Sequence, residues 1–132
     1  MNIQSPVEVE ILLNLHPKDL RQYCLKNKEI LNICRSNYFW TEKIQRDFPG
    51  VGFNRNDSRQ EYIRIWNENY DKIYNIINDI ISDGPDLRYL IHEVLRDYFD
   101  PRFNLKDLLI RIGSDPRLNI NPFILEMSSR NL

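Results

Sequence analysis

At 132 residues the chain has room for one compact domain, or for a module of about 50 residues leaning on a second one, and not for a large multidomain enzyme. Apolar residues make up 42% and charged residues 28%, a globular balance that excludes disorder and collagen-like or low-complexity composition. Lys and Arg number 18 against 19 Asp and Glu, a net charge of −1, so no global field favours nucleic acid or an anionic membrane as partner. No run of about 18 apolar residues exists, and Met1 to Pro6 lacks the basic start and apolar stretch of a signal peptide. The expectation is a soluble intracellular protein. Ala is absent and Thr occurs once, at Thr41, while Ile and Asn abound. Omitting the best helix former brings no folding advantage, so this bias reads as the codon usage of an AT-rich genome.

Proline punctuates the chain, because it is tolerated in the first helical turn and past a helix end but damages a helix interior. All seven prolines fall between apolar-periodic runs. Val7, Val9, Ile11, Leu12, Leu13 and Leu15 mark a short helix after Pro6. After His16-Pro17, the positions Leu20, Cys24, Ile30, Leu31 and Cys34 follow helical spacing, with Leu25 and Ile33 widening the face; the helix either runs through or breaks near Asn27. Ten unbroken residues would hold Cys24 and Cys34 about 15 Å apart. A disulfide needs Cα atoms within about 7 Å, so two buried thiols in a reducing compartment are expected. A third helix runs from Asn37 through Phe39, Trp40 and Ile44 to Asp47, ended by Pro49-Gly50-Val51-Gly52.

Ser58-Arg59-Gln60-Glu61 has the form of a capping box and precedes Tyr62, Ile63, Trp66, Tyr70, Ile73, Ile77 and Ile80 at steps of three and four. This predicts a helix of about six turns, closed by Asp83-Gly84-Pro85. Leu87, Leu90, Ile91, Val94, Leu95 and Tyr98 give the next helix, ended by Asp100-Pro101. Asn104 caps another, with Leu105, Leu108, Leu109 and Ile112 inward and Gly113 at its end. A last helix begins at Pro122. The chain therefore reads as all-α, with no strand or hairpin signal. Asp100-Pro101-Arg102-Phe103-Asn104-Leu105 is echoed by Asp115-Pro116-Arg117-Leu118-Asn119-Ile120, two copies of a turn and not a solenoid.

Little of this sequence suggests chemistry. The only histidines, His16 before a proline and His92 on a polar helix side, read as solvated residues and give no catalytic pair. No C-x-x-C, H-E-x-x-H or EF-hand loop is present, and the glycines sit at helix ends, so no metal, cofactor or phosphate loop is indicated. The chain is read as non-enzymatic. Arg55, Arg59, Tyr62, Trp66 and Tyr70 step at helical intervals, a pattern that single-stranded nucleic acid binding can use. Ile63, Ile73, Ile77 and Ile80 continue the stripe, however, so Trp66 and Tyr70 read as core and nucleic acid is disfavoured. Arg59, Arg64, Arg88, Arg96 and Arg111 read as solvated faces paired with acids such as Glu61, Glu68, Asp97 and Asp107. The first 49 residues carry roughly fifteen apolar side chains, more than so small a helical unit readily buries within itself.

Pro6-Val7-Glu8-Val9, Ile11-Leu12, the loop Leu15 to Leu20, Cys24 to Lys28, Ile33-Cys34, Phe39 to Lys43 and Arg46-Asp47-Phe48-Pro49 together resemble an F-box motif, of the kind seen in F-box-like proteins of large DNA viruses with AT-rich genomes. The resemblance covers residues 5 to 49 and divides the chain into an F-box-like module, 1–50, and a C-terminal helical region, 51–132. It implies a three-helix module whose apolar face packs on a SKP-family adaptor of a cullin ubiquitin ligase. Carried over residue by residue, Pro6, Val9, Leu12, Leu20, Cys24 and Trp40 would be the partner contacts. Function then reads as a protein–protein interaction adaptor, in the cytoplasm or nucleus of a host cell if viral. The rival is a viral structural or regulatory protein that reuses the fold for self-association or for packing on its own second half, which would bury Pro6, Leu12 and Leu20. The short linker from Pro49 to Asp57, and the broad apolar face that Tyr62, Ile65, Tyr74, Ile76 and Ile81 give the long helix, predict one continuous helical body.

Overall fold

A computed structural model describes residues 6–82, 84–130 and 132, and over these the chain is all-α, as its periodicity requires. The helices are α1 (Pro6–Asn14), α2 (Pro17–Cys24), α3 (Lys28–Arg35), α4 (Asn37–Asp47), α5 (Ser58–Ile80), α6 (Arg88–Tyr98), α7 (Leu105–Gly113) and α8 (Pro122–Ser129), with a 3-10 turn, Arg55–Asp57, leading into α5. No helix among the described residues is long and apolar enough to cross a membrane. The chain forms two compact units, Met1–Arg64 and Ile65–Leu132, and the division falls inside α5.

Side-chain caps set the starts of four helices, α2, α3, α7 and α8. His16 caps α2, its Nδ1 accepting from the Lys18 N–H at 3.1 Å, and Pro17 fills the first turn, where no N–H is needed. Asn27 is extended (φ −156°) and its Oδ1 accepts from the Ile30 N–H at 2.9 Å, which starts α3. That cap offers the backbone an alternative to continuing α2, so the break near Asn27 is the version the chain adopts.

This corrects the cysteine expectation. Because α2 stops at Cys24 and α3 packs back against it, Cys24 and Cys34 have Cα atoms 6.0 Å apart instead of about 15 Å, and their sulfurs form a disulfide. They are not two free thiols, and the reading of a reducing compartment loses its basis.

In the first unit Leu12, Leu13, Leu20, Ile30, Ile33 and Phe39 pack around the disulfide. Beneath this cluster lies Lys43, with no exposed surface at all. Its ammonium donates to the carbonyls of Leu13 and Leu15, each at 2.9 Å, and pairs with Asp47 at 3.0 Å. These carbonyls belong to the end of α1 and the residue beyond it, where a cation satisfies orphan acceptors and the negative end of the helix dipole. Tyr62 donates its hydroxyl to Asp47 at 2.7 Å and completes the network.

In the second unit Ile73 and Ile77 of α5 meet Ile91, Val94 and Leu95 of α6, Leu108, Leu109 and Ile112 of α7, and Leu125 of α8. Gly113 ends α7 where α8 crosses it: a Cβ there would lie 2.4 Å from a methyl of Leu125. The repeated Asp-Pro-Arg tripeptides build the same turn twice. Asp100 and Asp115 each accept from the backbone N–H two residues on and grip that residue's guanidinium, of Arg102 and Arg117 respectively, and Asp86 does the same with Arg88. Arg117 also reaches Asp97 at 2.8 Å, and the Tyr98 hydroxyl donates to Asp115 at 2.8 Å. Arg117 first, then its backbone N–H and Tyr98, hold the Asp115 carboxyl far below the ordinary carboxylate range.

Candidate functional site

One concavity lies wholly in the first unit. It is an open groove of about 640 Å³ between α2, α3, α4 and the first turns of α5. Leu20, the Cys24–Cys34 disulfide and Tyr62 form its buried floor; Leu31 and Trp40 are half-buried within it; Leu25 and Ile63 stand on its rim, 73% and 41% exposed. Arg21, Arg35 and Arg59 complete the lining, which contains no acidic side chain.

Each wall has a local cause. Trp40 is fixed by its indole N–H, which donates to the Cys34 carbonyl at 2.7 Å, and by edge contacts with Phe39 and Tyr62 at 5.4 and 5.3 Å between ring centres. Its polar atom is thus used internally and its ring is left for the groove. The start of α5 is tied to α4 by side chains. Asn37 accepts from the Ser58 N–H at 2.8 Å and donates to the Arg55 carbonyl at 2.6 Å, while the Ser58 and Thr41 hydroxyls bond at 2.6 Å. The capping box expected at Ser58 is replaced by these longer-range bonds. Ser58 turns to Thr41, and Glu61 reaches back past it to the Asn54 N–H at 2.7 Å. Glu61 also pairs with Arg64, and this ion pair first, then the Asn54 N–H, lowers its carboxyl below the usual range.

The three arginines differ from those that hold carboxylates. Arg46 pairs with Glu10, Arg64 with Glu61, Arg88 with Asp86, and Arg117 with Asp97 and Asp115. Arg21, Arg35 and Arg59 are exposed and enter no ion pair among the described residues, although Arg59 was expected to pair with a nearby acid.

Of the six residues carried over as partner contacts, Leu20, Cys24 and Trp40 line the groove. Val9 is half-buried against the core of the first unit. Leu12 has no exposed surface, so it supports the fold instead of presenting itself to a partner, and Leu20 is 2% exposed. Both leucines pack inside their own unit because four short helices and a disulfide close around them, where three helices had been expected. Pro6 opens α1, but its side chain lies outside the described residues. Sequence reasoning passed over Arg21, Arg35 and Lys43. The signal for the first two is their place in the last turns of α2 and α3, where a cation also suits the helix dipole and so does not by itself mark a site.

Elsewhere, His92 is stacked on Tyr74 and Tyr70, with ring centres 4.5 and 5.8 Å away, and its Nδ1 bonds the Tyr70 hydroxyl at 2.6 Å. Among the described residues no three His, Cys, Asp or Glu side chains gather as a metal site. No protein-family model, curated protein or solved structure matches the chain.

Proposed function

We propose that this protein is a non-catalytic protein–protein interaction module that captures a partner through its N-terminal unit. The observation that carries this reading is the open apolar groove, with a pinned tryptophan in it and two exposed aliphatic side chains on its rim. Tryptophan and arginine are among the residue types enriched at binding hot spots, and here Trp40 and three arginines line one apolar cleft. The F-box resemblance supplies the first partner to try, a SKP-family adaptor. Size-exclusion chromatography of the purified protein with such an adaptor tests it. Co-elution that Leu25→Asp or Ile63→Asp abolishes is expected, and no co-elution at tens of micromolar would remove the ligase role.

Self-association is the second reading. It is favoured by the burial of Leu12 and Leu20 within their own unit, which leaves those positions of the F-box pattern without a surface for an adaptor. Light scattering at rising concentration distinguishes it: a dimer that Ile63→Asp dissociates supports this reading, and a monomer at 100 micromolar opposes it.

A further inference from the structure

We infer that the groove of the N-terminal unit is built for an acidic amphipathic helix of a partner protein, held by apolar anchors over Trp40 and by carboxylates on Arg21, Arg35 and Arg59. The inference deepens the docking role proposed above and rests on it. Its basis is charge complementarity. Three guanidiniums surround an apolar floor, no acid lines that floor, and none of the three is neutralised by an ion pair among the described residues. An exposed arginine left without a carboxylate at the edge of an apolar cleft has its planar donor fork available for bidentate contact with an incoming one.

The shape favours a helix over an extended strand or a base. No sheet edge exists among the described residues to receive a strand. The walls are themselves helices, and a volume of about 640 Å³ suits the few apolar side chains that a helix presents at i, i+3 or i+4, and i+7. Leu25 and Ile63, both exposed in the lining, would cover those anchors. A nucleic acid would need its charge matched along an extended basic track, and this lining concentrates three cations around one apolar cleft.

The test is a selection with the full chain as bait and a displayed library of helical 14-residue peptides, counter-selected against the Arg35→Glu/Ile63→Asp variant. Enriched peptides are expected to be acidic with apolar residues at helical spacing. A synthetic representative should bind the wild-type chain at least tenfold more tightly than the variant, and more weakly as salt rises from 50 to 300 mM. Arg35→Glu/Arg59→Glu should shift preference to the same peptide with Lys in place of Glu, an inversion that loss of folding cannot mimic. Enrichment of basic or uncharged sequences, no enrichment over the variant, or equal binding of the acidic and basic peptides would overturn the inference. So would a groove that takes oleate but no peptide. If the double variant loses its helical circular dichroism, Leu25→Asp, at the most exposed rim position, replaces it. No SKP-family adaptor is present in this assay, so its failure and that of the ligase role are read separately.

Discussion

Replacing Lys43 by methionine should cost the first unit about 3–5 kcal/mol, the range for breaking one side of a buried ion pair. Methionine keeps the length and apolar bulk of the lysine stem, so the loss is electrostatic and does not come from a cavity. The ammonium is 3.0 Å from an Asp47 oxygen and both side chains are buried. At an effective dielectric constant of about 20 the attraction alone is roughly 5 kcal/mol, and it vanishes while the desolvation of Asp47 stays. The Nζ donor is also withdrawn from the Leu13 and Leu15 carbonyls, each bonded at 2.9 Å. Tyr62 still donates to Asp47, which softens the loss. Lys43→Met/Asp47→Asn removes both charges and keeps an acceptor for Tyr62, so it should be more stable than the sum of the single changes predicts by about 2 kcal/mol or more. Urea unfolding followed by Trp40 fluorescence in a Trp66→Phe background reads this unit, and with a slope of about 1 kcal/mol per molar the midpoint should fall by about 3–5 M. A single-variant loss below about 1 kcal/mol, or strict additivity in the double variant, would refute the reasoning.

Reducing the Cys24–Cys34 bond, or Cys34→Ser, opens a closed loop of ten-residue separation and should lower the stability of the first unit by about 2–3 kcal/mol, seen as a fall in urea midpoint on adding a phosphine reductant. Gly113→Ala should destabilise despite a helix-propensity gain of about 1 kcal/mol, because its Cβ meets the fully buried Leu125 and overpacking costs about 1–3 kcal/mol; in a Leu125→Ala background the same change should become neutral or stabilising in thermal melts. The second unit should weaken in acid. Asp86, held at about 2 by Arg88, and Asp115, held lower still by Arg117, have folded-state pKa values below their unfolded ones, so their contribution is complete above about pH 4 and is lost as pH falls through the folded values. The melting-temperature difference between wild type and Asp115→Asn should therefore shrink from pH 6 to pH 2, and a constant difference would contradict this account.

The helices themselves were legible in the residues. Apolar spacing, prolines and asparagine caps are local signals that act within a turn or two, which is why α4 spans Asn37–Asp47 as read, α7 starts behind the Asn104 cap, and α8 begins at Pro122. The echoed Asp-Pro-Arg turns were legible for the same reason, since each closes on a residue two positions away. What the sequence could not express were partners far apart along it. Lys43 looks like any helical lysine until α4 brings it under the end of α1, some 30 residues earlier, and only then does burial become favourable. Ser58 and Glu61 have the spacing of a capping box, yet Asn37, Thr41 and Asn54 compete for their bonds once the chain has folded. Cys24 and Cys34 are too distant on one helix and bonded across two, a choice made by three residues, Leu25 to Asn27. The groove is of the same kind. Arg21, Arg35 and Arg59 lie on three different helices, and only packing gathers them around one apolar floor, because periodicity records which face of a helix is buried and not which other face it will meet.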